Sequence, residues 1–185
     1  EEALADLGVI KEKLALYPRA GLKDGNDLVY KEQISKWYSD LRTKDRSGDP
    51  PEVLALTALA FTHESNGNVR GAFGAYEQLE LYFEKSRRRE DNLYNLVRTS
   101  SVISEVLTTE HYGQIFLRNF PQSDYCESVR SMMLSSLFAG AEYEKCELVA
   151  EKMIDELPKP SVQHDICLHV LGGSKFYLGK FLAAH

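Results

Sequence analysis

The stretch YEKCELVAEKMIDELP, residues 143–158, decides the fold class of this chain. Cys146, Ala150 and Met153 follow one another at spacings of four and three residues, which places them on one face of a helix. The first two side chains are small, so a neighbouring helix can approach this face closely. Gly140 ends the preceding helix, and the proline that closes the quoted stretch ends this one. The stretch therefore predicts one helix of an antiparallel pair.

The same arrangement recurs along the chain. Similar helix pairs start near residues 51, 90, 123 and 161, and the small residues Ala72, Cys146 and Ala184 lie 74 and 38 positions apart. A recurring helix–turn–helix unit of about 37 residues is typical of a solenoid, in which each pair buries one face on the next. We therefore predict an all-α chain of antiparallel helix pairs that share a continuous core.

Apolar spacing and turn residues set the predicted helix boundaries. We expect Asp49 and Glu52 to form a capping box around Pro50, a tight turn at residues 66–68, and a helix cap at Ser123. No segment predicts a strand more strongly than a helix. The predicted helices, about nine, cover residues 2–17, 27–46, 51–65, 69–85, 91–107, 109–119, 124–139, 143–157 and 161–178, and a further one is cut off after Lys180.

Composition excludes several classes of protein. The chain has 185 residues, 43% hydrophobic and 27% charged, with a net charge of −6, as in ordinary soluble domains. An acidic balance argues against nucleic acid as the main partner, and no apolar run approaches the roughly 18 residues that span a membrane. Because the chain starts at Glu1 and ends in LGKFLAAH, inside a predicted element, we expect it to be a piece of a longer protein.

Residues in three of these units resemble the tetratricopeptide repeat. That family has a large residue, a leucine and a small residue on its first helix, then aromatic and small residues and a closing proline on its second. The matching residues are Met133, Leu134, Leu137, Gly140, Tyr143, Cys146, Ala150 and Pro158; Leu168, Leu171, Gly172, Phe181 and Ala184; and Leu56, Leu59, Ala60, Ala72 and Tyr76. Residues 90–121 fit poorly. The resemblance implies a right-handed superhelical α-solenoid in one domain, 1–185, with 1–48 as a less typical helical pair.

A narrower resemblance concerns the compartment. Residues 120–146, FPQSDYCESVRSMMLSSLFAGAEYEKC, look like a phrase of bacterial envelope repeat proteins, such as outer-membrane assembly lipoproteins of the BamD type. This resemblance implies a periplasmic or cell-envelope location. A cytoplasmic location is the alternative, because unpaired cysteines are less expected in an oxidising compartment.

The family pattern also implies where a partner would bind. In such arrays the first helices of successive pairs line a concave groove, and a mixture of aromatic, hydroxyl and charged side chains there suits an extended or helical peptide. The lysine and asparagine clamp of the chaperone-binding branch is absent. These side chains could instead face solvent or pack against a flanking helix. The implied partner-binding residues are Thr57, Phe61, Glu64, Tyr94, Arg98, Ser131, Ser135, Phe138, His169 and Phe176.

No motif for chemistry stands out. His164 and His169 lie five positions apart, a spacing that turns their side chains about 140° from each other on a helix, so we predict no metal site. Cys126, Cys146 and Cys167 form no CxxC pair and are interpreted as small buried hydrophobes. No phosphate-binding loop or nucleophile elbow is present. We therefore predict a protein that is not an enzyme and needs no cofactor.

A basic run and an aromatic cluster are both interpreted as structural features and not as binding sites. The basic run at residues 87–89 lies among acidic neighbours and indicates a solvated helix end. Trp37, with Tyr30 and Tyr38, predicts a core stripe more strongly than an exposed aromatic patch.

Together these patterns predict a non-catalytic scaffold that binds a peptide or partner protein. One alternative is a sensing or regulatory module within a larger enzyme or regulator. Another is a self-assembly element that forms a homo-oligomer.

The predicted register can be tested at Cys146. Replacing Cys146 with phenylalanine should overpack a close helix–helix contact and lower the free energy of unfolding by about 1–3 kcal/mol. Urea denaturation of the variant and the parent chain measures this difference. An unchanged stability would show that the register is wrong.

Overall fold

The computed structural model describes residues 27–44, 48–157, 159 and 161–180. Over these residues the chain forms eight helices and no strand, which confirms the all-α prediction. The predicted helices at 2–17 and after Lys180, together with Pro158 and Ala184, lie outside the described residues. The helices are α1 Asp27–Lys44, α2 Pro51–Ser65, α3 Val69–Tyr82, α4 Arg89–Val102, α5 Val106–Asn119, α6 Cys126–Ala139, α7 Tyr143–Glu156 and α8 Val162–Tyr177.

The predicted boundary between α4 and α5 is wrong. The helix expected over 91–107 ends at Val102, and α5 begins at Val106. Between them Ser104 takes a left-handed conformation with φ 62°, which stops the helical hydrogen-bond ladder. The Thr109 hydroxyl then donates to Ser100 Oγ at 3.0 Å, so a buried side-chain bond joins the two helices.

The predicted capping box at Asp49 is also wrong. Helix α2 has Pro50 at its N-cap position and no side-chain cap. The Asp49 carboxylate instead accepts hydrogen bonds from Ser86 Oγ at 3.1 Å and Arg87 N at 3.2 Å. It also lies 3.9 Å from Arg88 Nε. Asp49 therefore holds the turn before α4, a partner 37 positions away that local sequence does not reveal.

Two other turn predictions have different outcomes. The turn at 66–68 is confirmed: Gly67 has φ 70°, and the Asn68 side chain accepts from Gly71 N at 2.9 Å to cap α3. The cap predicted at Ser123 is wrong in register, because α6 begins only at Cys126. The Ser123 hydroxyl accepts from Tyr125 N at 3.1 Å and so belongs to the preceding turn.

The chain divides into two compact units, the first ending at Thr99 and the second beginning at Ser100. In the first unit α2 packs against both α1 and α3. Along α2, the residues from Val53 to Ala60 are all buried, so this helix is the centre of the unit. The largest fully buried side chains of this unit are Val53, Leu56, Leu59, Tyr76, Leu79, Leu93, Leu96 and Val97.

In the second unit α6 packs against α5 and α7, and α8 packs against both α7 and α6. The core between α6, α7 and α8 consists of Leu134, Leu137, Cys146, Ala150, Met153, Leu157, Cys167 and Val170. Cys146 and Ala150 are fully buried, and Met153 is 3% exposed, which confirms the helix face predicted from their spacing. No described helix is long and apolar enough to cross a membrane.

The turn between α6 and α7 stores backbone strain at an alanine. Helix α6 ends before Gly140, yet the residue in the left-handed region is Ala141, with φ 59°. Gly140 itself is needed for a different reason, because a Cβ there would lie 2.8 Å from Val106 Cγ2.

Ala141→Gly should therefore stabilise the chain. Relief of left-handed strain, about 1–2 kcal/mol, exceeds the extra entropy of glycine in the unfolded chain, so we expect a net gain of about 0.5–1 kcal/mol. Ala139→Gly, in the last turn of α6, is the matched control and should destabilise by about 0.5–1 kcal/mol. Thermal or urea denaturation compares the two. Equal destabilisation by both variants would contradict the strain at Ala141.

Candidate functional site

In the first unit, α2 and α4 carry the predicted partner-binding residues, and one of them faces inward. Thr57 is 3% exposed, and its hydroxyl donates to Val53 O at 2.7 Å, one helical turn back. The Thr57 side chain therefore lies in the packed core of the first unit. Tyr94, on α4, is half-buried.

Glu64 and Arg98 form an ion pair between α2 and α4. Arg98 Nη2 donates to Glu64 Oε1 and, at 3.1 Å, to Asn95 Oδ1, while Arg98 Nε lies 3.3 Å from that same oxygen. Nearby, burial raises the pKa of the Tyr76 hydroxyl, and the negative charge of Glu64 raises it further. Both predicted charges therefore already have partners within the unit.

The aromatic residues of the first unit join α1 to α2. Trp37 is half-buried and meets the predicted partner-binding residue Phe61 edge to face, with ring centroids 5.5 Å apart. Tyr38 is 6% exposed, which confirms the core interpretation for that residue. The side chain of Tyr30 lies outside the described residues.

The basic run at 87–89 is largely paired within the first unit. Arg87 is exposed, but Arg88 and Arg89 are half-buried. Arg89 binds Glu80 through two hydrogen bonds, of 2.6 and 3.0 Å, and this contact raises the pKa of the guanidinium. The predicted solvated helix end thus describes Arg87, whereas Arg88 and Arg89 hold the turn in place.

In the second unit the predicted residues form two rows. Ser131, Ser135 and Phe138 follow one another along α6 at spacings of four and three, and His169 and Phe176 lie seven positions apart on α8. Ser135, His169 and Phe176 are exposed. A Cβ at Gly173, between His169 and Phe176, would lie 2.9 Å from the Phe138 ring, so the two rows touch there.

An aromatic patch, made of Phe138, Tyr143, Phe176 and Tyr177, lies where these rows end. The rings of Tyr143 and Tyr177 stack with centroids 4.7 Å apart and planes 10° from parallel. Phe138 meets Tyr143 and Tyr177 edge-on at 5.6 and 6.1 Å. Phe176 and Tyr177 remain 58% and 61% exposed, although both are large aromatic side chains.

Half of this patch was not among the predicted partner-binding residues. Tyr143 was expected only as a residue of the repeat pattern, and Tyr177 received no role. A signal was present, because adjacent residues point about 100° apart on a helix, so Phe176 and Tyr177 cannot both lie on the narrow buried stripe of α8.

A concave surface of the second unit lies among α5, α6 and α7. It has a volume of about 460 Å³ and combines apolar side chains with three cations. Its residues come from three helices and form no motif, so the sequence pattern does not reveal it. It is called the basic cleft below and is lined by Leu117, Arg118, Arg130, Met133, Leu148, Val149, Lys152 and Met153.

The cysteines are buried and unpaired, as the interpretation of small core hydrophobes predicts. Burial raises the pKa of the Cys146 and Cys167 thiols, which disfavours the nucleophilic thiolate. Among the described residues, no group of three or more His, Cys, Asp or Glu side chains is arranged to hold a metal ion.

Stability should depend on pH through these two thiols. Their raised pKa means that the unfolded chain loses its thiol protons first, so their contribution to stability falls as the pH rises above about 8.5. We expect the double variant Cys146→Ala/Cys167→Ala to lose less stability than the parent chain between about pH 7 and pH 9.5. Urea denaturation at both pH values tests this, and below about pH 7 the difference between the two proteins should stay constant. A parallel alkaline decline in both proteins would contradict the role of the thiols.

Comparison of the chain with protein-family models, with curated proteins and with solved structures finds no match. The resemblance to the tetratricopeptide repeat therefore rests on the sequence pattern.

Proposed function

We propose that this chain is a non-catalytic interaction module of the tetratricopeptide-repeat type, which binds a peptide or a partner protein. The observation that carries the proposal is the aromatic patch of the second unit, in which Phe176 and Tyr177 are both more than half exposed. A repeat array fits the sequence register and the way α8 packs on both α6 and α7.

The patch has the character of a binding hot spot. Aromatic side chains dominate the energy of protein interfaces because they bury large areas while losing little conformational freedom. Here Tyr177 is already held by stacking on Tyr143 and by the edge of Phe138, so it is ordered before a partner arrives. Such preorganisation lowers the entropic cost of binding.

The surroundings of the patch suit an elongated partner. Ser135 lies three positions before Phe138 on the same face of α6, and His169 lies two turns before Phe176 on α8. Both polar residues are exposed. A peptide with an apolar anchor on the patch could therefore continue along the rows and form hydrogen bonds with Ser135 and His169.

The structure changes which residues make the best probes of binding. Arg98 is engaged by Glu64 and Asn95, so reversing its charge would also break contacts inside the first unit. Phe176 and Tyr177 are each more than half exposed, so their truncation removes surface contacts, chiefly the stacking of Tyr177 on Tyr143, and circular dichroism checks that the double variant remains folded.

A defined probe is obtained by selecting peptides from a random displayed library for binding to the immobilised chain. We expect the double variant Phe176→Ala/Tyr177→Ala to lose affinity for the selected peptides by about tenfold or more, since each lost hot spot is worth 1–2 kcal/mol or more. Fluorescence anisotropy measures the dissociation constants. Leu107→Ala is the matched control, because Leu107 is 69% exposed on α5 and lies outside the patch.

The proposal fails if no peptide is enriched, or if the enriched peptides bind the double variant as tightly as the parent chain. Light scattering across concentrations separates the self-assembly alternative. A dimer that dissociates in the Phe176→Ala/Tyr177→Ala variant would make a second copy of this chain the partner.

A further inference from the structure

The turns that follow α2, α4, α6 and α8 have the same backbone geometry. In each turn one residue is left-handed, its N–H donates to the carbonyl three residues back, and the next N–H donates to the carbonyl five residues back. These left-handed residues are Gly67, Ser104, Ala141 and Gly179, with φ of 70°, 62°, 59° and 74° and spacings of 37, 37 and 38 residues. Each residue of α6 therefore has an equivalent on α8, 38 positions later.

On the buried side, equivalent residues of α6 and α8 have the same role. Val129 and Ser136 of α6 are buried, and so are their equivalents on α8, Cys167 and Ser174. The match shows which positions the packing of the helices requires. Differences between α6 and α8 elsewhere are therefore differences in surface.

One such difference is a row of residues along α8 at spacings of four, three, four and three. This row is called the α8 stripe and consists of Val162, Ile166, His169, Gly173 and Phe176. The spacing keeps these residues on one face of the helix. Val162 is 71% exposed, Ile166 36% and Phe176 58%.

The α8 stripe is more apolar than helix packing requires. The first four equivalent positions of α6 are polar and are occupied by Asp124, Ser128, Ser131 and Ser135. Hydroxyl side chains therefore satisfy the fold at positions where α8 exposes Val162 and Ile166. Apolar side chains that face water without a role in packing indicate a contact with another molecule.

The ring of Phe138, from α6, fills the gap that Gly173 leaves in the stripe. A Cβ at Gly173 would lie 2.9 Å from a carbon of the Phe138 ring, so the ring occupies the space of the missing side chain. Apart from His169, the surface from Val162 to Phe176 is therefore apolar. Its length is about 21 Å, because a helix rises 1.5 Å per residue.

The spacing of the α8 stripe determines the form of a matching partner. Rows of side chains at spacings of three and four interlock with the same rows on a second helix that runs alongside. An extended peptide instead presents every second residue to one side. The stripe therefore suits an amphipathic helix, which carries its apolar residues at i, i+3, i+4 and i+7.

Charge determines which helices match. Asp165 lies at the edge of the stripe, next to Ile166, and its side chain is 76% exposed. The nearest described ion-pair contact of its carboxylate is with His164 Nδ1, at 3.8 Å. Glu127 takes the equivalent position of α6, and the whole chain has a net charge of −6. This edge therefore attracts a basic partner.

The lysines at the other end of α8 do not offset this charge. Lys175 Nζ lies 3.1 Å from Glu151 Oε1, and Lys180 Nζ lies 2.5 Å from Glu147 Oε2. Both lysines are thus paired with glutamates of α7. The charge that α8 presents beside the stripe is the carboxylate of Asp165.

We propose that the α8 stripe binds a basic amphipathic helix of a partner protein. Apolar side chains of that helix pack on Val162, Ile166 and Phe176, and a lysine or arginine beside them approaches Asp165. The proposal rests on the proposed function, because Phe176 belongs to both the stripe and the aromatic patch. It adds the form and the charge of the partner.

A synthetic helix tests this directly. The probe is a fluorescein-labelled peptide with leucines at alternating spacings of four and three, lysines beside them and alanines elsewhere to favour the helix. We expect saturable binding, measured by fluorescence anisotropy, that weakens as salt is added. One control peptide has the same residues reordered so that the leucines share no face, and another has glutamate in place of lysine. Both should bind at least about tenfold more weakly.

Matched variants of the protein locate the site. Val162→Ser and Asp165→Lys should each weaken binding of the probe by about fivefold or more, because they remove apolar contact and reverse the charge beside it. Leu107→Ser and Glu144→Lys make comparable changes at exposed positions in the first turns of α5 and α7 and should alter affinity by less than about twofold. Circular dichroism checks that all four variants remain folded.

Three results would overturn the proposal: no saturable binding of the probe, equal binding of either control peptide, or equal effects of the stripe variants and their controls. A concentration-dependent dimer that Val162→Ser dissociates would assign the stripe to a second copy of this chain, which also contradicts it.

Failure here is distinguishable from failure of the proposed function. Val162→Ser and Asp165→Lys leave Phe176 and Tyr177 in place. Library-selected peptides that bind these variants normally but lose affinity for Phe176→Ala/Tyr177→Ala would uphold the proposed function while the helical probe fails. If neither the selected peptides nor the probe bind, both proposals fail.

Discussion

The close approach of α7 to its neighbours is the constraint on which the second unit depends. Cys146 and Ala150 are fully buried there, and the Cys146 sulfur lies 3.8 Å from the Leu134 carbonyl of α6. Only small side chains allow helix backbones to come this near without displacing core residues. The larger side chains of Leu134 and Leu137 then fill the remaining space. A bulky residue at either small position would separate α7 from α6 and loosen the whole unit.

The same packing exposes the surfaces to which we assign function. Because one face of α8, at Cys167 and Val170, is taken up by the core, another face presents the α8 stripe to solvent. Because α8 lies against both α6 and α7, Tyr177 can stack on Tyr143 at the start of α7 and meet Phe138 at the end of α6. The packed core of α6, α7 and α8 therefore keeps apolar side chains exposed to water at these two surfaces.

Local patterns predicted the elements well and their ends less well. Every helix in the described part of the chain was expected near its observed place, because the 3.6-residue period is a property of the chain itself. The break at Ser104 was predicted about four residues too late, since neither glycine nor proline marks it. Asp49 was expected to cap α2, but its carboxylate is taken by Ser86 and Arg87. Whether the Asp49 carboxylate binds a local or a distant partner is decided only when the chain folds.

The sequence by itself determined the class of fold, the buried face of α7 and the burial of the cysteines, because each follows from apolar spacing along a helix. Only the tertiary structure decided what the candidate site contains. It paired Glu64 with Arg98, brought Tyr143 and Tyr177 to Phe138 and Phe176, and assembled the basic cleft from three helices. Contacts between helices depend on how far each is shifted and rotated against the next, and side-chain spacing within one helix does not specify those quantities.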